Sequence, residues 1–438
     1  MMMPDPAPEE VNFEAWRAKC AEDPNHFVER FFSRFEMLTP EAKSAFRAAA
    51  PGRARLSQSL QSGNSESNAA LRGLPYGLQD LFDLQGLPTR CGARFAEPFE
   101  ALAEANSALV TSLTEKGATC LAKLVPSEFG VDLQGLNAHF GDCPNARDPH
   151  FVCGGGAGSC AHAVADDWLP VAFGLDSFAG IRIPAAFHGL YAFRMEHNNF
   201  AREGVFPIIP SLDSVGWMTK LPGDLMSVFD AFYEFGPDPS RENPRGYLLS
   251  ETLQSCSSET KSGLMQLIRP LDIDEDPAMD KLFHKLFQRV LDAFKIIRNR
   301  ELYSVHQYLI EEYSNYYDPQ LLKLIEAGRT YSAADCEEAS HVQINLRASL
   351  ISFFLNYDYV ILPVSPLASP QKAEWDTAFE EQLTFLNAPL SAAFLPALIV
   401  PFPCGEGRFN AAQFIFNPRK LYLVRSVLEQ IKALNPPR

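Results

Sequence analysis

The sequence predicts an α/β fold, in which helices pack on a β-sheet. From Gly73 onward, short apolar runs are bounded by glycine or proline, and segments with helical spacing separate several of them. Strand-like runs that alternate with helices are typical of α/β proteins. The chain has 438 residues, 46% of them hydrophobic, which is enough material for a large core in one big domain or two modest ones.

Five apolar runs are predicted to be strands. In chain order they are LPYGL (74–78), TCLAKLV (119–125), LPVAFGL (169–175), IRIPAAF (181–187) and YVILPVS (359–365). Between them, helices are predicted over 98–116 and 161–168. The alternation indicates a sheet with helices connecting its strands.

A helical segment is predicted ahead of this core. Its apolar residues recur at helical spacing: Phe27, Phe31, Phe35 and Leu38. Pro40 is well placed to open a second helix, whereas the stretch 52–68, rich in Ser, Gln and Gly, is predicted to be a loop. We therefore divide the chain into an N-terminal helical segment, 1–70, and a core, 71–438.

Within the core, a long helical block is predicted at about 275–327. One apolar stripe runs along it: Leu282, Phe283, Leu286, Phe287, Val290, Leu291 and Phe294. We expect this stripe to pack into the hydrophobic core.

Charge and cysteine content restrict the function classes. The net charge of −16 and the pI of about 5.1 provide no basic surface, so nucleic acid and anionic membrane are not expected partners. No apolar run has the length of a membrane span, and the N-terminus lacks the pattern of a secretory signal. Nine irregularly spaced cysteines fit reduced thiols better than a disulfide framework. These observations predict a cytoplasmic protein.

Three glycine-containing segments point to a family. They are GLPYGLQDLFDLQGLPTRCGA (73–93), CGGGAGSCAHAVADDWLPVAFGLDSFAGIRIPAAFHGLYAFR (153–194) and EGVFPIIPSLDSVGWM (203–218). Together they resemble the amidase signature family, serine hydrolases that cleave carboxamides with a Ser, cis-Ser, Lys triad. The resemblance implies the amidase-signature fold, a twisted mixed β-sheet covered by helices on both faces, with N-terminal helices. No cofactor or metal is expected.

The resemblance also implies that the catalytic triad is lost. Gln79 stands at the position of the Lys base, and a side-chain amide cannot accept the proton. Gly156 stands at the position of the bridging cis-Ser, and Gly180 at that of the nucleophilic Ser. The separation of the two glycines, 180 − 156 = 24, is that of the two serines in the family pattern. We expect no amidase activity by the family mechanism.

Further positions are implied to form a vestigial cleft: Asp80, Gly155, Ala157, Ser159, Asp176, Ser177, Phe178, Ala179 and Arg182. Phe178 and Ala179 occupy places where the family has small residues before the nucleophile, so the oxyanion hole is altered and Phe178 is expected to fill part of the pocket. Asp176 and Arg182 are expected to form a salt-linked turn between a strand and a helix.

Three functions remain open. The protein is a structural or regulatory subunit that pairs with itself or with an active enzyme, or it binds a small amide or carboxylate in the cleft, or it is a hydrolase with a displaced nucleophile. The candidates for that nucleophile are Ser159, Ser177, Cys153 and Cys160. His162 is the imidazole nearest to Cys160 in sequence, but it lies on a different helix face.

A metal site is a weaker alternative. Its potential ligands are His139, Cys143, His150, Cys153, Cys160 and His162. Their irregular spacing is not typical of zinc sites, in which ligands usually come in tight pairs. The GGGAGS loop at 154–159 lacks the lysine of a phosphate-binding loop, so it is a poor phosphate site.

Overall fold

A computed structural model describes residues 11–39, 42–43, 46–63, 69–95, 97–235 and 243–434. Its α-helices are α1 (Phe13–Glu22), α2 (Pro24–Glu36), α3 (Arg53–Gly63), α4 (Ala108–Glu115), α5 (Gly158–Ala165), α6 (Arg182–His188), α7 (Pro222–Phe232), α8 (Ser258–Ile268), α9 (Pro277–Tyr313), α10 (Pro319–Gly328), α11 (Ala333–Phe353), α12 (Thr377–Ala392) and α13 (Leu423–Leu434). Short 3₁₀ turns include Glu128–Gly130 and Asn199–Ala201.

The strands form one mixed sheet. They are β1 (Arg47–Ala49), β2 (Pro75–Gln79), β3 (Thr119–Leu124), β4 (Val171–Leu175), β5 (Tyr191–Arg194), β6 (Val215–Thr219), β7 (Gly246–Leu248), β8 (Ile273–Asp274), β9 (Tyr359–Pro363), β10 (Ala397–Pro403) and β11 (Phe409–Phe416). Within the described residues the sheet has 11 strands in the order β1-β3-β2-β4-β6-β5-β10-β11-β9-β7-β8. The predicted α/β class is therefore confirmed.

Parallel and antiparallel pairs alternate in blocks across this sheet. β2 runs parallel to both β3 and β4, and β9 runs parallel to β7, which runs parallel to β8. The strands from β4 through β6, β5, β10 and β11 to β9 pair antiparallel. Because β2 and β4 are parallel neighbours, their carboxyl ends, Gln79 and Leu175, lie at the same edge of the sheet.

Helices cover both faces of the sheet. On one face Phe193 and Trp217 are cross-strand partners, and the rings of Phe229 and Phe232 in α7 pack on them. Gly174 belongs to the other face, because side chains alternate along a strand. There it lies against Ala157 and Ile181, at the starts of α5 and α6. The resulting core is continuous through the sheet.

One predicted strand is wrong. The run IRIPAAF (181–187) is not extended but supplies α6, Arg182–His188. Pro184 lies in the first turn of this helix, where its missing N–H would have no intrahelical partner. Gly189 ends the helix in the left-handed conformation, with φ of 68°. The other four predicted runs each contain a strand: β2, β3, β4 and β9.

The helix predictions need three corrections. Residues 53–63 of the predicted loop form α3, which packs on β3, and residues 64–68 lie outside the described part. Of the helix predicted at 98–116, only Ala108–Glu115 is an α-helix. In the predicted apolar stripe of α9, Phe283, Phe287, Val290 and Phe294 are buried, but Leu282 is exposed. Pro40 lies outside the described residues.

The predicted N-terminal helices are present as α1 and α2, and Phe31 and Phe35 of α2 are buried. None of the helices in the described part of the chain combines the length and the apolar composition that a membrane span requires.

Candidate functional site

Gln79 joins three segments at the carboxyl edge of the sheet. Its side-chain Oε1 accepts a hydrogen bond from the Leu175 backbone N–H at 2.7 Å, and its Nε2 donates to the Gly156 carbonyl at 2.9 Å. The side chain is fully buried. Both ends of the amide are therefore used to hold the glycine-rich loop, 154–159, against the ends of β2 and β4.

The two glycines predicted at the serine positions lie beside this amide. The Ala157 N–H donates to the Gly180 carbonyl at 3.1 Å. A Cβ atom on Gly156 would lie 2.3 Å from the Gly130 carbonyl oxygen, and one on Gly180 would lie 2.7 Å from the Leu175 carbonyl oxygen. Real Cβ atoms do not approach backbone oxygens this closely, so neither position accepts a serine unless the backbone moves.

The rest of the glycine-rich loop is also fixed by backbone contacts. Gly155 has φ of 63°, a left-handed conformation that favours glycine, and its N–H donates to the Leu133 carbonyl at 2.7 Å. Ser159 Oγ donates to the Val125 carbonyl at 2.5 Å. Ser159 does not cap α5, because the N-cap of this helix is Ala157.

Asp176 organises the turn between β4 and α6. Its carboxylate accepts hydrogen bonds from the backbone N–H groups of Ala179, Ile181 and Arg182 at 3.1–3.2 Å. It also pairs with the guanidinium groups of Arg182 at 3.0 Å and Arg194 at 3.1 Å. Burial opposes the ionisation of Asp176, but the two guanidinium groups outweigh it and hold its pKa below the usual value. The predicted ion pair of Asp176 with Arg182 is confirmed.

The two arginines extend this ion cluster into the rest of the core. Arg182 donates to Ser391 Oγ at 2.6 Å and to Gln413 Oε1 at 2.9 Å, on α12 and β11. Arg194 donates to the Leu395 carbonyl at 2.6 Å. Burial lowers the pKa of Arg194 to about 10. Sequence reasoning missed Arg194, although an arginine at the end of the apolar strand YAFR was a signal for a buried ion pair.

Asp80 follows Gln79 and has a structural ion pair. Its carboxylate lies 2.6 Å from Lys123 Nζ, and both side chains are buried. Lys123 also donates to the Pro88 carbonyl and to Thr89 Oγ1, each at 2.8 Å. Because the three donors of this ammonium group have these partners, Lys123 is a structural cation.

Little space remains where the cleft was predicted. Phe178 is buried, and its ring centroid lies 4.5 Å from that of Phe294 in α9. The cavity beside it, lined in part by Gly130, Ser177 and Gly180, has a volume of about 10 Å³. A cavity of this size holds about one water molecule. A small amide or carboxylate does not fit unless Phe178 moves.

Ser177 is the predicted serine that lines this cavity. Its hydroxyl donates to the Asp213 carboxylate, which also accepts the backbone N–H groups of Ile208 and Ile209 at 2.9 Å. Burial raises the pKa of Asp213. The partner of Ser177 is therefore a carboxylate whose oxygens also hold the backbone of a loop, so its lone pairs are already engaged.

Cys153 has a neighbour that sequence reasoning missed. Its Sγ lies 4.0 Å from His188 Nε2 in α6. However, that Nε2 accepts the Ala146 N–H at 3.2 Å, and Nδ1 is hydrogen-bonded to the Pro184 carbonyl at 2.9 Å, so the imidazole is neutral. Burial lowers the pKa of His188 to about 3. A hydrogen bond with the Cys143 thiol, together with burial, raises the pKa of Cys153. A neutral thiol beside a neutral imidazole is a poor nucleophile.

Cys160 and His162 do not contact each other. Cys160 Sγ lies 3.7 Å from the Phe173 carbonyl, and burial raises the pKa of this thiol. His162 Nδ1 is hydrogen-bonded to the Pro144 carbonyl at 2.9 Å. The metal hypothesis also lacks support, because within the described ranges no three His, Cys, Asp or Glu side chains form a group that could hold a metal ion.

Comparison with known proteins gives a family match over more than half of the chain. A family model described as Amidase matches residues 26–305. The chloroplastic outer envelope protein 64 of Arabidopsis thaliana is 33% identical over 181 residues, which are 41% of this chain and 31% of that protein. The 1-carboxybiuret hydrolase subunit AtzE of Pseudomonas sp. strain ADP is 31% identical over 169 residues, 39% of this chain and 36% of that protein. The matched segments span about a third of the length of these relatives.

A solved structure matches nearly the whole chain. A crystal structure of an amidase superposes with a TM-score of 0.82 at 23% identity, covering 95% of this chain and 98% of that one. At this level of identity the match establishes the fold, and the amidase-signature architecture that the sequence predicted is confirmed.

The contact between Gly156 and Gly130 gives the first prediction. Gly156→Ala should lower the free energy of unfolding by about 1 to 3 kcal/mol, because the added methyl group meets a backbone carbonyl that cannot rotate away. Gly223→Ala is the matched control, since a Cβ there has no atom within 4 Å. It should raise stability by about 0.4 to 1 kcal/mol. Equal effects of the two substitutions in urea titrations would contradict the packing described here.

The ion cluster around Asp176 gives the second prediction. Asp176→Asn should cost about 3 to 5 kcal/mol of unfolding free energy, because Arg182 and Arg194 would remain buried without a counter-charge. The control is Asp230→Asn, which removes an exposed pair with Arg425. It should cost less than about 1 kcal/mol. A small loss at Asp176 would show that the cluster does not hold the core.

The neutral state of His188 gives the third prediction. Its folded pKa of about 3 lies below the ordinary value of 6.5, so its contribution to stability is present above pH 6.5 and is lost as the pH falls towards 3. When the pH falls from 7.5 to 5, the unfolding free energy of the wild type should decrease by about 2 kcal/mol relative to that of His188→Gln. His26→Gln, at an exposed position, is the control. A pH-independent difference for His188→Gln would contradict the neutral assignment.

Proposed function

The chain belongs to the amidase family, and we propose that it is a member without amidase chemistry, a pseudoenzyme that serves as a structural or regulatory subunit. The observation that carries this proposal is that Gln79, Gly156 and Gly180 lie together. Both ends of the Gln79 amide are hydrogen-bonded to backbone groups, and backbone oxygens occupy the space that a side chain on either glycine would need. A serine hydrolase without its base, relay and nucleophile retains only the small rate enhancement that comes from binding and the oxyanion hole.

The turn before Gly180 supports the same conclusion. An oxyanion hole needs backbone N–H groups that point to an accessible carbonyl oxygen. In this chain the Ala179 N–H donates to Asp176, and the side chain of Phe178 fills the approach. Neither the nucleophile nor the site that would stabilise its product is therefore available in this conformation.

The names of two relatives support a role in assembly. The outer envelope protein 64 is named for its location rather than for a reaction, and the 1-carboxybiuret hydrolase AtzE is named as a subunit. We infer that this chain, too, acts through contacts with other protein chains, either a second copy of itself or an active enzyme. Its location in the cytoplasm and its division into 1–70 and 71–438 stay predictions.

Binding of a small amide or carboxylate in the cleft is the less favoured alternative. The cavity of about 10 Å³ has no room for such a ligand. Binding would need the Phe178 ring to leave its contact with Phe294. The closed cleft therefore supports the subunit role over the ligand-binding role.

A cysteine hydrolase is the second candidate, because Cys153 lies 4.0 Å from His188. For this candidate to be correct, a proton must pass from the thiol to the imidazole. The pKa of about 3 for His188 and the raised pKa of Cys153 oppose that transfer. If residual activity exists, the contact of Cys153 with His188 is where this candidate places it, and Cys153→Ser would remove it.

Active-site probes test the proposal. We expect purified folded protein to form no adduct with a fluorophosphonate at Ser159 or Ser177, and no fast, saturable adduct with iodoacetamide at Cys153 or Cys160. The physical reason is that the serines lack a strong base and the thiols are buried and neutral. Peptide mapping by mass spectrometry reads out each position separately.

Two controls make a negative result meaningful. Cys336 is partly exposed and should react slowly with iodoacetamide in the folded protein, which shows that the reagent is active. In denaturant, Cys153 and Cys160 should react as well. A single stoichiometric adduct in the folded protein, lost in Cys153→Ser or Ser177→Ala, would overturn the proposal and reveal a displaced nucleophile.

A further inference from the structure

A second cavity lies at the edge of the sheet opposite to Gln79. Tyr76 of β2 and Thr119 and Cys120 of β3 line it, and these residues stand near the amino ends of two parallel strands. Side chains of α3 and α4 form its walls. Its volume is about 330 Å³, compared with about 10 Å³ for the cavity beside Phe178. Pockets that bind small molecules start at about this size.

The inner part of this cavity is apolar or neutral. Leu56, Leu84 and Val110 are buried there. The Tyr76 hydroxyl and the Cys120 thiol are hydrogen-bonded to each other, and burial raises the pKa of both groups, so neither is charged near neutral pH. Any charge on a bound molecule must therefore be met by the side chains closer to solvent.

Hydrogen-bond donors meet at one end of the cavity. Arg55 Nη1 donates to the Gln85 carbonyl at 3.1 Å, and Asn106 Oδ1 accepts the Gln85 N–H at 2.8 Å. Gln85 thus holds the guanidinium and the amide close together. Among the residues that the structure describes, the Nδ2 group of Asn106 and the other N–H groups of Arg55 have no partner. A planar guanidinium with free donors is suited to a carboxylate.

Hydrogen-bond acceptors meet at the other end. Thr114 and Glu115 lie in the last turn of α4, and both are exposed. Thr114 Oγ1 donates its proton to the Val110 carbonyl at 2.8 Å, so its lone pairs stay available as acceptors. The dipole of α4 favours a cation at this end of the helix and an anion at the end beside Asn106. This end is therefore suited to an ammonium group.

The two charges on this cavity do not neutralise each other. Within the described ranges neither Arg55 nor Glu115 takes part in an ion pair, although both line the same space. The two ends of α4, Ala108 and Glu115, are about 10 Å apart, because the helix rises about 1.5 Å per residue. An α-amino acid carries both charges on one carbon and is too short to reach both ends, whereas a methylene chain between the charges would fit the apolar inner part.

We propose that this cavity binds a small linear zwitterion, an ω-amino acid. Its carboxylate lies at the Arg55 end, its ammonium group at the Glu115 end, and its methylene groups against the apolar inner part. This inference goes beyond the proposed function and does not depend on it, because the cavity and Gln79 lie at opposite edges of the sheet.

Isothermal titration calorimetry of the full chain tests the length and the charges of the ligand. We expect 5-aminopentanoate to bind with a Kd below about 1 mM, and glycine to bind at least about 10-fold more weakly because it cannot span the cavity. Pentanoate and pentylamine keep the carbon chain but lose one charge each. They should also bind at least about 10-fold more weakly, because one end of the cavity stays without its partner.

Two variants test the position of the site. Arg55→Met and Glu115→Gln should each weaken the binding of 5-aminopentanoate at least about 10-fold, because each leaves one charge of the ligand unmatched. Arg53→Met is the matched control. It removes the same charge from the same helix, but Arg53 pairs with Glu29 and Glu36 of α2, so binding should not change. Matching circular dichroism spectra would show that the variants fold.

Three results would overturn the proposal: no heat of binding from 5-aminopentanoate at about 10 mM, equal binding of pentanoate, or binding that both Arg55→Met and Glu115→Gln leave intact. Fluorophosphonate labelling of the same preparation reports on the proposed function separately. Binding of 5-aminopentanoate by a protein that forms an adduct would overturn the pseudoenzyme alone, and the absence of both would overturn the zwitterion site alone.

Discussion

The buried carboxylate of Asp176 is the interaction on which the middle of this fold depends. It neutralises two arginines that would otherwise be buried without a counter-charge, and it holds the backbone of the turn that leads from β4 into α6. Through Arg182 it reaches α12 and β11, which are more than 200 residues away in sequence. The turn between β4 and α6 is therefore held in place by the core that is built around it.

The side chains of Gln79 and Phe178, which lie near this cluster, are packed as part of the core. Gln79 gives one hydrogen bond to the glycine-rich loop and receives one from β4. A neutral amide with both partners satisfied costs less to bury than a charged amine. The Phe178 ring occupies the adjacent space and packs on α9.

Sequence reasoning reached the fold class, since strands such as YVILP have strong local signals, and it brought Gln79, Gly156 and Gly180 together, which the structure places side by side. It failed where tertiary context decides. IRIPAAF has the composition of a strand, but the hydrogen bonds that Asp176 accepts from Ile181 and Arg182 start a helix there. Arg194, Lys123 and the neighbour of Cys153 could not be found, because each depends on segments brought together by the sheet.

The contact of Gly156 with Gly130 decides whether the proposed loss of catalysis could be reversed by substitution alone. If the site had lost only its functional groups, the space for them would remain, and substitution alone would restore a serine. Instead the Gly130 carbonyl stands where a Cβ atom would be, and a lysine at position 79 would leave the Leu175 N–H without its acceptor. The backbone packs closely around Gly156 and Gly180. A serine at position 156 would therefore require the 3₁₀ turn at Glu128–Gly130 to move first, and that turn is fixed by its own backbone hydrogen bonds.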